Sequence, residues 1–158
     1  MKKMSVLTQS KEDYLEAILV ISLEKKWVRV SDLADYLGVK MSSVAAGVRF
    51  LAEKELVNHE KYGYIELTRE GVRVAKQIYD RHKTLYKFLR DFLGLSEPVA
   101  WRDACRMEHI LDAKTMKRLL KFLEFIETCP EGEPLWLSNF HSFLKTGKRP
   151  EPCLRREK

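Results

Sequence analysis

The chain is poor in cysteine, in long apolar runs and in repeated sequence, and each shortage removes a class of protein. Its three cysteines, Cys105, Cys129 and Cys153, are an odd, scattered set that does not describe a disulfide framework. No apolar run approaches the roughly 20 residues that cross a bilayer. Met1-Lys2-Lys3-Met4 is followed by no long apolar segment, so neither a membrane partner nor a secretory signal is expected, and a cytoplasmic location is. There is no internal repeat, no long low-complexity tract and no His-Glu-x-x-His helix of the kind that carries hydrolytic zinc. What remains is 158 residues with an apolar fraction of 45%, enough for one ordinary domain or two small units and too apolar for a disordered chain. A net charge of +6 and a pI of about 9.2 fit a polyanionic partner without requiring one.

Ser10-Lys11-Glu12-Asp13 reads as a helix start, with Ser10 as cap and two acids at the positive end of the helix dipole. Tyr14, Ile18 and Ile21 then recur at helical spacing to about Glu24, and Trp27 to Val30 is a short extended stretch. Ser31 is expected to cap a second helix that buries Leu33, Ala34 and Leu37 and ends at Gly38. Ser42 is expected to cap a third, with Val44, Val48 and Leu51 inward and Ser42, Ala46 and Arg49 on the opposite face. Beyond Leu56-Val57 an extended pattern turns at Tyr62-Gly63 and returns through Tyr64-Ile65-Glu66-Leu67 as a hairpin. This order of elements is that of a winged helix-turn-helix, whose third helix enters the DNA major groove and whose hairpin lies by the phosphates. The bland alternative is a small α+β unit without a DNA role, and the basic charge favours the DNA reading. Ser42 and Ser43 can reach phosphates or base edges, Arg49 a guanine or a phosphate, and Ala46 only a thymine methyl. With so few long polar groups there, DNA shape carries much of the specificity expected. Lys40 and Lys61 are phosphate candidates, each equally readable as a solvated charge.

Thr68 is expected to cap a long fourth helix running to about Phe92, with Val72, Ala75, Tyr79, His82, Leu85, Leu89 and Phe92 on its apolar side. Gly94 breaks it, and Ser96 opens a fifth helix with Pro98 early inside. On that helix Cys105, Glu108 and His109 stand at i, i+3 and i+4, so a thiol, a carboxylate and an imidazole project from one face about a turn apart. All three are ligands for a divalent transition metal. A sixth helix, about Asp112 to Glu127, carries the stripe Met116, Leu119, Leu120, Leu123 and Ile126, and a last short helix is expected from Leu135 to Leu144. Such stripes exceed what one helical hairpin buries against itself, so a second copy of the chain is the expected cover, in a twofold homodimer. The expected fold is mainly α: a winged helix-turn-helix over 1–70, a helical metal-binding and dimerisation domain over 71–146, and a disordered tail over 147–158.

Between Leu7 and Ile126 the residues resemble the metal-dependent repressors typified by the diphtheria toxin repressor and the manganese transport regulator. The resemblance lies in Ser10-Lys11-Glu12-Asp13-Tyr14-Leu15-Glu16-Ala17, Arg29-Val30-Ser31-Asp32-Leu33-Ala34, Ser42-Ser43-Val44 and Glu60-Lys61-Tyr62-Gly63. It continues through Leu67-Thr68, Arg81-His82 and Ala104-Cys105-Arg106-Met107-Glu108-His109. It implies a homodimer that represses metal-uptake genes from a palindromic double-stranded DNA operator when Mn(II) or Fe(II) is plentiful. The implied metal ligands are Asp13 and Glu16 on the first helix, His82 on the fourth, and Cys105, Glu108 and His109 on the fifth, for one or two ions per subunit. Asp13 and Glu16 match the manganese branch, where both positions are acidic, whereas Cys105 matches the iron branch, so the set is a hybrid. Where the iron branch has two ancillary-site donors this chain has Tyr86 and Trp101, so that second site is not expected. The chain resembles the shorter members, which lack an SH3-like domain.

On chemistry alone, hard carboxylates suit Mn(II) and Fe(II), imidazoles add borderline donors, and one thiol shifts preference away from Mg(II) and Ca(II). Singly, each residue has a plainer reading: helix-start acids, a hydrogen-bonded histidine, a small core cysteine, a solvated Glu-His pair. Two other functions stay open at this level. A thiol-based redox regulator would use Cys105, Cys129 or Cys153, and a small metallohydrolase would need an open metal position and a general base that nothing marks. Cys129, His141 and Cys153 are too scattered to define a further site, and no small organic substrate is expected.

Overall fold

The structure is a computed structural model that describes residues 7–59 and 63–150. Its elements are α1 (Gln9–Glu24), α2 (Val30–Leu37), α3 (Met41–Glu53), β1 (Val57–His59), β2 (Ile65–Leu67) and α4 (Arg69–Lys87), which runs into a π-helical turn, Phe88–Phe92. They continue with α5 (Glu97–Met107), α6 (Ala113–Glu127) and α7 (Leu135–Thr146). The fold is mainly α, as the periodicities predict. The chain divides into two compact units, the division falling between Asp80 and Arg81 inside α4.

In the first unit the helical stripes converge. Leu15 and Ile18 of α1, Leu33 of α2, Val44, Val48 and Leu51 of α3, Ile65 of β2 and Ala75 of α4 are all buried in one cluster. β1 and β2 pair antiparallel in the register Val57↔Leu67, Asn58↔Glu66, His59↔Ile65. The Ile65 N–H donates to the Val28 carbonyl at 2.8 Å, so the extended stretch before α2 adds a third short rung to the wing. Of the expected hairpin, Glu60 and Lys61 of the first strand and Tyr62 of the turn lie outside the described residues.

Three expected caps are displaced. The cap of α1 is Thr8, whose carbonyl accepts from the Lys11 and Glu12 N–H groups, rather than Ser10. That of α2 is Arg29 rather than Ser31, and the Arg29 N–H donates to Asp32 Oδ2 at 2.8 Å. Lys25, bonded to the other Asp32 oxygen at 2.7 Å, and then the Arg29 N–H hold this carboxyl below its usual range. That of α3 is Lys40 rather than Ser42. At α1 and α2 the reason is packing: Leu7 and Val30 lie against the core, and burying them outweighs a serine cap worth about 1 kcal/mol. Thr68 caps α4 as expected, its Oγ1 accepting from the Gly71 N–H at 3.0 Å and donating to the Glu55 carbonyl at 2.7 Å.

Gly47 lets α1 and α3 touch. A Cβ there would stand 2.1 Å from Cε2 of Tyr14, whose ring is buried. Alanine in an unconstrained helix gains roughly 1 kcal/mol over glycine. Here the ring has to be displaced from a packed core, so Gly47→Ala is expected to destabilise by about 1–3 kcal/mol, read as a lower urea midpoint at unchanged slope.

In the second unit Leu85, Leu89, Ala100, Ala104 and Met116 form one cluster, and Phe92, Leu123, Ile126 and Leu137 another. Ala100 and Ala104 are fully buried, and their small side chains let α5 come close to the end of α4. Asp112 caps α6 by accepting from the Lys114 N–H at 2.7 Å. Leu120 of the expected stripe is half exposed, as is Phe122, and Phe125 is more exposed still. Helix α4 stops being α-helical at Lys87; the next turn widens, and the Leu93 N–H reaches back to the Phe88 carbonyl. Among the described residues no helix is long and apolar enough to cross a membrane.

Candidate metal centre and nucleic-acid interface

The fifth helix ends sooner than the cysteine-glutamate-histidine spacing assumes. Met107 is its last residue, Glu108 is the C-cap with helical angles (φ −60, ψ −28), and His109 lies in the turn beyond. The one-face geometry survives because Glu108 still donates its N–H to the Ala104 carbonyl at 3.0 Å. A ligand atom from each of Cys105, Glu108 and His109 falls within 4.8 Å of the others. Cys105 is half buried and Glu108 is buried.

His82, from α4, joins this group. Its Nδ1 lies 2.9 Å from Glu108 Oε2, and both side chains are almost wholly buried. A carboxylate can only accept, so Nδ1 donates. That tautomer leaves the Nε2 lone pair of His82 bare, and this buried atom has no hydrogen bond among the described residues. Leaving such an atom unsatisfied costs roughly 1–3 kcal/mol. The other carboxylate oxygen, Oε1, lies 3.1 Å from His109 Nε2. Two imidazoles, a carboxylate and a thiol therefore stand together, and a bare imidazole nitrogen oriented by a carboxylate is the arrangement metal-ligating histidines adopt. The donors fit a divalent first-row transition metal.

Asp13 and Glu16 lie in the first unit, on α1. Both are half buried, and their three-residue spacing puts them on one face of the helix. The recognition-helix candidates are where the pattern puts them: Ser42, Ser43, Ala46 and Arg49 are exposed on α3, and Lys40 is exposed at its N-cap. Lys61 lies outside the described residues.

Two features of this surface went unread. Met41 opens α3 with its side chain exposed, and expecting Ser42 to cap hid it by placing it outside the helix. Beside the wing, Trp27 stacks on Tyr64 at 4.7 Å, while Lys26 lies over Trp27 and Arg29 over Tyr64. The run Lys26-Trp27-Val28-Arg29, a tryptophan with basic residues on both sides, was the available signal.

A winged helix-turn-helix followed by a helical unit with a buried cluster of transition-metal donors defines a metal-responsive DNA-binding regulator. Residues 6–65 match the family described as iron dependent repressor, N-terminal DNA binding domain, and residues 68–137 match iron dependent repressor, metal binding and dimerisation domain. The chain belongs to the iron-dependent repressor family. It is 41% identical over 119 residues to an uncharacterised HTH-type transcriptional regulator of Methanocaldococcus jannaschii, covering 75% of this chain and 95% of that one. It is 36% identical over 124 residues to the HTH-type transcriptional regulator MntR of Bacillus pumilus, covering 78% and 85%. A solved manganese-dependent transcriptional repressor, in complex with manganese, superposes with a TM-score of 0.68 at 32% identity, over 79% of this chain and 57% of that one. The chain thus spans less than two thirds of that solved structure. The family is one of metal-dependent transcriptional repressors rather than enzymes, with a DNA-binding domain, a dimerisation domain and a divalent metal of the manganese and iron kind.

Proposed function

We propose that this chain represses genes of manganese or iron uptake, acting in the cytoplasm as a metal-loaded homodimer on a palindromic operator. The observation that carries the metal-sensing part is the bare, buried Nε2 of His82, oriented through Nδ1 by Glu108 beside Cys105 and His109. Asp13 and Glu16 complete the proposed donor set, and Lys40, Ser42, Ser43, Ala46, Arg49 and Lys61 the proposed DNA face. The MntR relatives and the manganese-bound repressor support Mn(II), and the iron-dependent family descriptions support Fe(II).

The proposed domains are 1–70 for DNA and 71–146 for metal and dimerisation. When bound, the ion supplies coordinate bonds that side chains of both domains can share. Asp13 and Glu16 belong to the DNA-binding domain, and His82, Cys105, Glu108 and His109 to the other. Donors so divided would hold α1 to the dimerisation domain and fix the spacing of the two recognition helices. A palindrome needs that spacing, its half-sites being roughly 34–36 Å apart. Without the shared ion, binding carries the conformational penalty of a partly populated competent state.

A gel-shift titration over candidate uptake promoters tests this. Tight binding with Mn(II) or Fe(II), lost by at least tenfold with chelator, is the expected result. Equal binding with metal and with chelator would remove the sensor reading.

A further inference from the structure

Trp101 lies four residues before Cys105, one turn nearer the start of α5. Its ring meets the imidazole of His82 with centroids 4.2 Å apart and planes at 63°. The indole has a second contact on α4, one turn beyond His82. Tyr86 meets Trp101 edge-on at 5.6 Å and 74°. Arg90 lies over the Tyr86 ring at 5.0 Å and donates to its hydroxyl at 3.1 Å. Arg90 is itself held by Asp91 at 2.6 Å. A chain of contacts thus runs from the π-helical turn through two aromatic rings to one imidazole.

His82 is held in two ways. Glu108 accepts a hydrogen bond from its Nδ1–H and so fixes the tautomer, while a single hydrogen bond leaves the ring free to rock about that axis. The steep ring-to-ring contact with the indole removes that freedom. Offset and edge-on aromatic contacts are directional, and an indole is a large and stiff wall. Trp101 is also about half exposed, so little of the core depends on its full bulk.

We propose that Trp101 is a positioning residue of the metal centre: braced by Tyr86 and Arg90, it fixes the imidazole plane of His82 so that Nε2 is aimed before metal arrives. The proposal rests on the reading of His82 as a metal donor. Partners that orient a ligand are typically worth 10–100-fold in metal affinity. Trp101→Ala is expected to weaken Mn(II) binding about tenfold, and Trp101→Phe, which keeps a flat ring, no more than about twofold.

The full chain, titrated with Mn(II) by calorimetry and with Co(II) by visible absorption, tests this beside His82→Ala. The expected pattern is weak Mn(II) binding and an altered Co(II) spectrum for Trp101→Ala, near-normal values for Trp101→Phe, and loss of binding for His82→Ala. If His82→Ala binds Mn(II) like the unaltered chain, the metal-centre reading falls and takes this inference with it. If His82→Ala loses binding while Trp101→Ala keeps full affinity, or if Trp101→Phe is as weak as Trp101→Ala, only the positioning role falls. A second measurement needs no substitution at position 101. With Trp27 and Trp136 changed to phenylalanine, the remaining indole emission is expected to be largely quenched by Co(II), and unchanged emission would overturn the proposal.

Discussion

Glu108→Gln is expected to lower Mn(II) affinity at least about 100-fold while leaving the chain folded. Glutamine has nearly the volume of glutamate, and its carbonyl can still accept from His82 Nδ1, so the burial and the 2.9 Å contact can both persist. What goes is the negative charge, and with it a carboxylate oxygen 3.1 Å from His109 Nε2. The carboxylate serves the centre twice, as a candidate ligand and as the acceptor that exposes the Nε2 lone pair of His82, so its loss should exceed that of a residue with one role. Calorimetric titration with Mn(II), beside circular dichroism of the metal-free chain, separates lost binding from lost structure. Unchanged Mn(II) affinity in a folded Glu108→Gln chain would show that this carboxylate is not part of a metal site. The redox alternative predicts something else: peroxide sensitivity that disappears when Cys105, Cys129 and Cys153 are all changed to serine and is indifferent to Glu108.

The helical stripes were legible because burial imposes a short period on the chain. Leu33-Ala34, Val44-Val48-Leu51 and Leu85-Leu89 could be placed inward from spacing alone, and each is buried. The helix starts were less legible because Arg29 and Lys40 are not capping residue types and the Thr8 side chain makes no cap hydrogen bond, and at α1 and α2 the decision lies with packing against the core. The donor types of the centre could be listed, yet their arrangement depends on contacts between distant positions. The hydrogen bond between His82 and Glu108 joins residues 26 apart and fixes a tautomer that no local pattern encodes. Trp101 shows the same limit. In sequence it is only a residue that is not an ancillary ligand, and its contact with His82 exists because the buried Ala100 and Ala104 bring α5 close to α4. At Leu120 the spacing gives a stripe but not what covers it: the residue is half exposed beside Phe122 in the single chain.

Gly71→Ala is expected to destabilise the first unit by about 3 kcal/mol, the upper end of the usual cost of overpacking. Gly71 lies in the first turn of α4, and a Cβ there would stand 1.9 Å from the Leu56 carbonyl oxygen. At Gly47 the obstacle is a ring that can shift; here it is backbone, and that carbonyl already accepts the Thr68 N–H at 3.0 Å. Relief would require α4 to move away from Leu56, breaking the Thr68 bond and straining the cap in which Thr68 Oγ1 holds the Gly71 N–H at 3.0 Å. Thr68 also donates to the Glu55 carbonyl, and Glu55 has a positive φ of 58°, so the end of α3, the strand entry and the start of α4 are tied at one point. The helix-propensity gain of roughly 1 kcal/mol for alanine is too small to offset this. Urea unfolding should show a lower midpoint for Gly71→Ala than for Gly47→Ala. A stabilised Gly71→Ala chain would mean that α4 does not meet the Leu56 carbonyl as closely as described.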